Sequence, residues 1–506
     1  MAWTPRRDQP TLRIVKLCSH CLNNSSKHSL ANLMTELFTD NSVDASAAPL
    51  AFQGCNLDNE AVSARPRFFE NLATVLTGQI ACAGLALLVE VCYDRLLGPE
   101  GRGQISLALM VVTLSALVGG LGGEIPITVW AADVRKKASD WLSAVFVATI
   151  VGCSGAMGLW IFAYWRWRTV FFKGITPTLF FLVLITIPTM ISFGHLCALL
   201  AGRERFRARA VVSLIEQLVG LAAIAGLLLF VRRNSEMAVF GNLVGLLVGA
   251  VAASAVLRPV LRGLSHISRA RRELLSALSL GVRGQLGNLA TFFNYRLDVF
   301  IVNAFLNPAQ VGLYAVGVVV SEALWQIPNA AAVALVPRTA RTMEKQADFT
   351  CLITRQVVLI ALASGVLMAA LSPALIPLVF GRAFTESVAV IWWILPGTVA
   401  LSLGKVVAAA LVGRRKPQFS SIFSVVSLVV TIVLDLRLIP TMGIRGAALA
   451  SSAAYLLNTV LLTATLKHEL GVRWKNLIVP SRSEFVPYAM ALRRLTARPD
   501  RPVTAD

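Results

Sequence analysis

Leu97-Gly98-Pro99-Glu100-Gly101-Arg102-Gly103 is echoed 209 positions later by Leu306-Asn307-Pro308-Ala309-Gln310-Val311-Gly312. A second echo has nearly the same spacing. Leu200-Ala201-Gly202-Arg203, with Ser213 and Val219 further on, returns as Leu411-Val412-Gly413-Arg414, with Ser424 and Val430, at an offset of 211. Six long apolar stretches lie between equivalent points, and an even number returns the chain to the same side of a membrane. The two halves therefore share one orientation, as in parallel-repeat transporters. This predicts an all-α integral membrane protein with about twelve transmembrane helices in two six-helix bundles related by a parallel repeat. Two such bodies are what an alternating-access machine needs.

The apolar stretches run roughly over 72–93, 104–130, 141–163, 177–201, 210–231, 238–257, 280–306, 311–336, 352–380, 388–412, 418–439 and 443–466. Each is long enough to cross about 30 Å of hydrocarbon as a helix, the form that satisfies its own backbone polar groups there. Only 15% of the chain is charged, against about 25% in ordinary soluble domains. The net charge of +20 does not point to nucleic acid, because the Lys and Arg residues sit mainly in short connections. With Arg65 and Arg67 placed inside, eighteen basic residues fall in the inner connections, among them Arg135-Lys136-Lys137, Arg203 to Arg209 and Arg414-Arg415-Lys416, against ten in the outer ones. That asymmetry puts both termini in the cytoplasm. The expected division is a polar leader over 1–65, an N-terminal lobe over 66–262, a basic connector over 263–279, a C-terminal lobe over 280–466 and a tail over 467–506.

The leader lacks the apolar core of a signal peptide. Its Cys18, His20, Cys21 and His28 lack a second ligand pair of structural-zinc spacing, so no metal and no cofactor is expected. The remaining cysteines are scattered and read as buried, reduced thiols. Gly241, Gly245 and Gly249 repeat every four residues and predict a close helix contact. Gly119-Gly120-Leu121-Gly122-Gly123 and Pro188, Pro328, Pro373, Pro377 and Pro396 mark places where helices can bend.

Arg296-Leu297-Asp298-Val299-Phe300-Ile301-Val302, followed by Asn307-Pro308-Ala309-Gln310-Val311-Gly312-Leu313-Tyr314, resembles the polysaccharide flippases of the multidrug/oligosaccharidyl-lipid/polysaccharide exporter superfamily. Leu97 to Gly103 resembles that family's first outer turn, and Val379-Phe380-Gly381-Arg382-Ala383-Phe384 its later Phe-Gly-x-x-Phe element. Ile439-Pro440-Thr441-Met442-Gly443-Ile444-Arg445-Gly446-Ala447-Ala448 resembles its entry to the last helix. The resemblance covers about 68–466. It implies a V-shaped pair of bundles in the bacterial inner membrane, flipping an undecaprenyl-diphosphate-linked oligosaccharide outward for O-antigen, capsule or exopolysaccharide assembly. The implied partners are that lipid-linked oligosaccharide, membrane lipid, and a polysaccharide polymerase with chain-length machinery.

Charges within spans are the functional candidates, since each costs about 2.5–3.5 kcal/mol at the bilayer centre on insertion scales. At about 100° per residue, Gln285, Arg296 and Asn303 align on one stripe, with Arg283, Asn294 and Asp298 opposite. Within the flippase reading, Arg296 meets the diphosphate through its planar fork of donors. The competing reading is an ion pair with an acidic residue on a neighbouring helix. Lys405 is the second cationic candidate, against snorkelling to the interface. Glu322, Gln326 and Asn329 form a polar stripe in which Glu322 couples a proton or sodium gradient; a hydrogen-bonded packing stripe is its alternative. Glu90, Glu124, Asp298 and Asp435 are lesser candidates, Asp435 with Arg437 as a neighbouring cation. No Gly-x-x-x-x-Gly-Lys-Ser/Thr loop is present for ATP. A polymerase or ligase would need a long outer loop with catalytic polar residues, and the longest here, Ala163 to Thr176, holds no His and no acid. A cation-coupled multidrug antiporter of the same superfamily is the nearer rival, and the charge lining the cavity separates the two.

Overall fold

The computed structural model describes residues 57–120, 123–133, 138–261, 270–341 and 346–478. The leader through residue 56, the basic Arg135-Lys136-Lys137 connection, the connector residues 262–269 and the tail beyond 478 lie outside the described residues, as do the side chains of Arg283 and Gln285. The chain divides into a unit Met1–Glu70 and a unit Asn71–Asp506, and the account that follows concerns the second.

The described residues form helices and turns, with no strand among them. The helices are α1 (Leu57–Gly119), α2 (Glu124–Ala132), α3 (Ala138–Phe171), α4 (Pro177–Gly202), α5 (Phe206–Phe230), α6 (Ser235–Leu261) and α7 (Ala270–Phe305). They continue as α8 (Pro308–Glu322), α9 (Gln326–Arg341), α10 (Gln346–Val379), α11 (Ser387–Gly413), α12 (Gln418–Met442), α13 (Ile444–Leu470) and the short α14 (Trp474–Ile478). Ten of the described segments are long and apolar enough to cross a membrane, so this is a multi-pass membrane protein. The expected twelve rods are recovered physically. α1 bends at Gly98 (φ 67, ψ −173) into two rods, and α7, whose charged residues keep it out of those ten, runs 36 residues, about 54 Å of helix. Rods start earlier than hydropathy suggests: α1 begins at Leu57, inside the stretch read as leader, and α7 at Ala270, inside the stretch read as connector.

The repeat is built into the turns. After α4, the amides of Arg203, Glu204 and Arg205 bond the carbonyls of Leu199, Ala201 and Leu200. After α11, those of Arg414, Arg415 and Lys416 bond Ala410, Val412 and Leu411. Both turns place a non-glycine residue in the left-handed region, Glu204 at φ 54 and Arg415 at φ 61, so the second echo is one C-capping geometry made twice. The first echo is solved differently in each half. Gly98 takes a conformation open almost only to glycine, costing a side-chain-bearing residue about 1–3 kcal/mol, whereas Asn307 stays extended and its side chain accepts the Gln310 amide at 3.0 Å, capping α8.

Within the first half, α6 lies tightly on α5: Cβ atoms at Gly241, Gly245 and Gly249 would meet Ile224, Gly220 and Glu216 respectively. That is the close contact the four-residue glycine spacing predicts. The halves meet around the two echoed turns. Gly103 lies against the Pro308 carbonyl and the Gly312 amide, and Gly312 against the Pro99 carbonyl and the Gly103 amide, so residues equivalent by the repeat pack on one another reciprocally. Arg95 donates to the carbonyls of Leu378 and Val379, Lys173 to those of Ala304 (2.6 Å) and Leu306 (3.4 Å), and Trp160 stacks on Phe300 with centroids 6.2 Å apart. One apolar core runs through both halves here. α7 belongs to the second half by sequence, yet packs on α2 and α3 as well as on α12 and α13, so it lies along the boundary.

Candidate functional site between the halves

Arg296 on α7 and Glu322 at the end of α8 form a two-point ion pair, Nη1 to Oε1 at 2.8 Å and Nη2 to Oε2 at 2.6 Å. The side chains keep 34% and 17% of their surface exposed, so the pair is partly open. Arg296 is seven residues from Asn303, which lies at the closed end; at 1.5 Å per residue that puts the pair roughly 10 Å deeper. Lys405 on α11 does not reach for an interface. Its ammonium sits 4.5 Å above the Trp325 ring and 5.5 Å from that of Tyr295, held by the negative faces of the rings, and it feels the charge of Glu322. Tyr295, Trp325 and Tyr455 wall the site, with centroids 5.1, 5.6 and 5.9 Å apart. Two cations and one carboxylate thus line it, with the buried Asp298 two residues further along α7.

Local structure places these groups. α8 stops at Glu322, a 3₁₀ turn covers Ala323–Trp325, and α9 starts at Gln326. Trp325 anchors the turn by donating Nε1 to the Thr398 carbonyl at 3.3 Å. Gln326 and Asn329, beyond the turn, are exposed on α9, while the ion pair itself is made by Arg296 and Glu322. Asn303 is fully buried and donates to the Phe171 carbonyl at 2.9 Å, tying α7 to α3 instead of joining Arg296. Gln285 lies on α7, its side chain outside the described set. The structure thus brings Glu322, expected in ion coupling, together with Arg296 and Lys405, both expected to bind substrate.

A second polar cluster is buried within the C-terminal half. Asp298 accepts from Tyr314, from Ser451 at 3.1 Å and from the Val299 amide at 2.8 Å. Thr431 donates to Asn294 at 3.1 Å. Asp435 on α12 is fully buried with neither carboxylate oxygen hydrogen-bonded. Arg437, the expected neighbour, is exposed, because two residues on a helix turn about 200° apart. Among the other candidates, Glu90 pairs with the buried Arg102, whose Nε lies 3.6 Å from Asp94. Glu124 borders a cavity of about 270 Å³ together with His195 and Glu216. Sequence reasoning missed Trp325, Tyr295 and Tyr455. Their signal was available: Trp and Tyr gather at membrane interfaces, and these three stand far from span ends.

The model of the family described as polysaccharide biosynthesis protein matches residues 68–343, just over half of the chain. The succinoglycan biosynthesis transport protein ExoT of Rhizobium meliloti is 27% identical over 242 residues, covering 46% of this chain and 45% of that protein. The probable low-salt glycan biosynthesis flippase Agl15 of Haloferax volcanii is 23% identical over 197 residues, 38% of this chain and 41% of that one. The matched part thus spans less than half the length of either relative. Among solved structures, the lipid II flippase MurJ in an inward closed conformation superposes with a TM-score of 0.67 over 84% of this chain and 93% of its own, at 12% identity. An inward-facing multidrug resistance MATE family transporter of the MOP superfamily gives 0.59 over 76% and 94%, at 14% identity. The fold is that of these two-lobed transporters, the resemblance read from the four sequence elements holds, and the chain belongs to the polysaccharide biosynthesis protein family.

Proposed function

We propose that the protein flips an undecaprenyl-diphosphate-linked oligosaccharide across the bacterial inner membrane by alternating access, with both termini cytoplasmic, for surface-polysaccharide assembly. The observation that carries this is the partly open Arg296 fork on α7, with the Lys405 ammonium held over the rings of the adjacent Tyr295 and of Trp325. Arg presents paired donors to phosphate oxygens, and a second cation nearby suits a ligand with two negative charges. The two cations disfavour the multidrug antiporter reading, in which a cationic substrate would meet Arg296 and Lys405. The relatives' names, a succinoglycan transport protein and a glycan flippase, support the same class of cargo. Delivery to a polymerase with chain-length machinery follows if the flipped product is a repeat unit.

Energy coupling is best served by the second cluster. A fully buried carboxylate with neither oxygen hydrogen-bonded is costly unless it binds a cation or a proton, and Asp435 is such a group. We assign binding of the coupling proton or sodium to Asp298 and Asp435.

The test of the cargo reading is Arg296→Ala. Surface polysaccharide should be lost and lipid-linked precursor should accumulate on the cytoplasmic face while the protein stays inserted, with partial recovery in Arg296→Lys. Normal export by Arg296→Ala would refute the reading.

A further inference from the structure

We propose that Glu322 is a built-in competitor for the anionic ligand: it fills the Arg296 fork until a diphosphate displaces it, and its departure releases the turn that joins α8 to α9. This rests on the diphosphate reading above and adds how that site is regulated. The pair uses both carboxylate oxygens against both terminal guanidinium nitrogens, which is the arrangement phosphate oxygens take on arginine. The fork is also reachable from outside, since Arg296 keeps 34% of its side chain exposed. Charge points the same way. A diphosphate diester carries about two negative charges near neutral pH, the phosphate-type acceptor that basic side chains match, and Arg296 with Lys405 balance it. Glu322 is then the surplus charge and must leave the fork or take up a proton.

Displacement has a mechanical outlet. Glu322 is the last residue of α8, and the next three form the 3₁₀ turn, a feature that marks hinges when it interrupts a helix. Pro328, in the first turn of α9, has no amide to donate back across that turn. Trp325 in the same turn is bonded to α11 through Thr398 and lies under Lys405 of α11. Ligand entry therefore acts on α8, α9 and α11 through four consecutive residues.

The test is equilibrium binding of farnesyl diphosphate to the purified full chain, with farnesyl monophosphate for comparison and lipid flipping measured in vesicles. If Glu322 leaves the fork free about one-tenth of the time, Glu322→Gln should bind the diphosphate on the order of tenfold more tightly, by the rule that apparent affinity scales with the competent fraction. It should also flip lipid more slowly, because release no longer drives the turn. Glu322→Asp keeps the charge on a shorter arm and should tighten binding by less, which decides the matter if the Gln variant does not fold. In Arg296→Ala the gain from Glu322→Gln should vanish. Unchanged or weaker binding in Glu322→Gln, with binding still abolished by Arg296→Ala, overturns the competitor role and leaves the cargo reading standing. Equal binding by parent and Arg296→Ala removes the cargo reading itself. Loss of folded protein in both Glu322 variants makes the pair a structural tie and overturns the proposal.

Discussion

Gly103→Ala is expected to loosen the contact between the halves without damaging either half. A Cβ at Gly103 would run into the Pro308 carbonyl oxygen and carbon, with the Gly312 amide at 3.1 Å. These are backbone atoms, so no rotamer change makes room and the two helices must separate. Overpacking of this kind costs about 1–3 kcal/mol. The cost falls only on the state in which 99–103 and 308–312 touch, since a state with these turns apart has space for a methyl group. A bias of 1–3 kcal/mol corresponds to a shift of roughly 5- to 150-fold between two conformations. The assay is cross-linking of cysteines placed at Glu100 and Gln310 in a chain freed of native cysteines, with thermal unfolding in detergent to check that the halves remain folded. Cross-linking should fall in Gly103→Ala, and in Gly312→Ala by the reciprocal packing. The double variant should lose less than the sum, because both methyl groups relieve one contact. Gly155→Ala, where a Cβ would meet nothing within 4 Å, is the control. Unchanged cross-linking in both single variants, with transport intact, would refute the idea that this backbone contact holds the closed end.

Asp435→Asn should keep the protein inserted and abolish the dependence of export on an imposed proton or sodium gradient; vesicle transport with and without the gradient measures this, and full gradient dependence in the variant would remove the Asp298/Asp435 pair from coupling. Glu204→Gly and Arg415→Gly each relieve a left-handed residue at about 1–2 kcal/mol, offset by the greater unfolded-state freedom of glycine, about 0.4–1 kcal/mol. Thermal unfolding in detergent should show each variant at least as stable as the parent, and a clear fall in either would show that the side chain has a compensating contact.

The features legible in the sequence were those that local physics governs. Hydropathy marked the rods, because apolar length is what a bilayer requires. The two echoes marked the repeat, and the structure shows why they are there: Gly202/Gly413 precede matching C-caps, while Pro99/Gly103 and Pro308/Gly312 form the reciprocal contact between halves. The glycine triplet of α6 likewise announced its packing on α5. Rod ends were less legible. α1 and α7 continue well past their apolar stretches into polar sequence, where hydropathy carries no signal and backbone hydrogen bonding alone keeps the helix going.

Site residues could be named from sequence but not assembled. Arg296, Lys405 and Glu322 stood out because charge is costly in lipid, and an acidic partner on a neighbouring helix was one open reading for Arg296. Which acid it meets depends on how α7 and α8 pack, and the 3₁₀ turn after Glu322 begins a new helix at Gln326. That Lys405 rests on Trp325, and that Asp435 is buried while Arg437 is exposed, are likewise matters of packing between helices far apart in sequence. The sequence by itself determined the rods, their repeat and the sharp turns, each dictated by a few consecutive residues. Only the tertiary structure decided the pairing of charges, because an ion pair depends on the rotation and separation of two packed helices, quantities that residue spacing along either one does not contain.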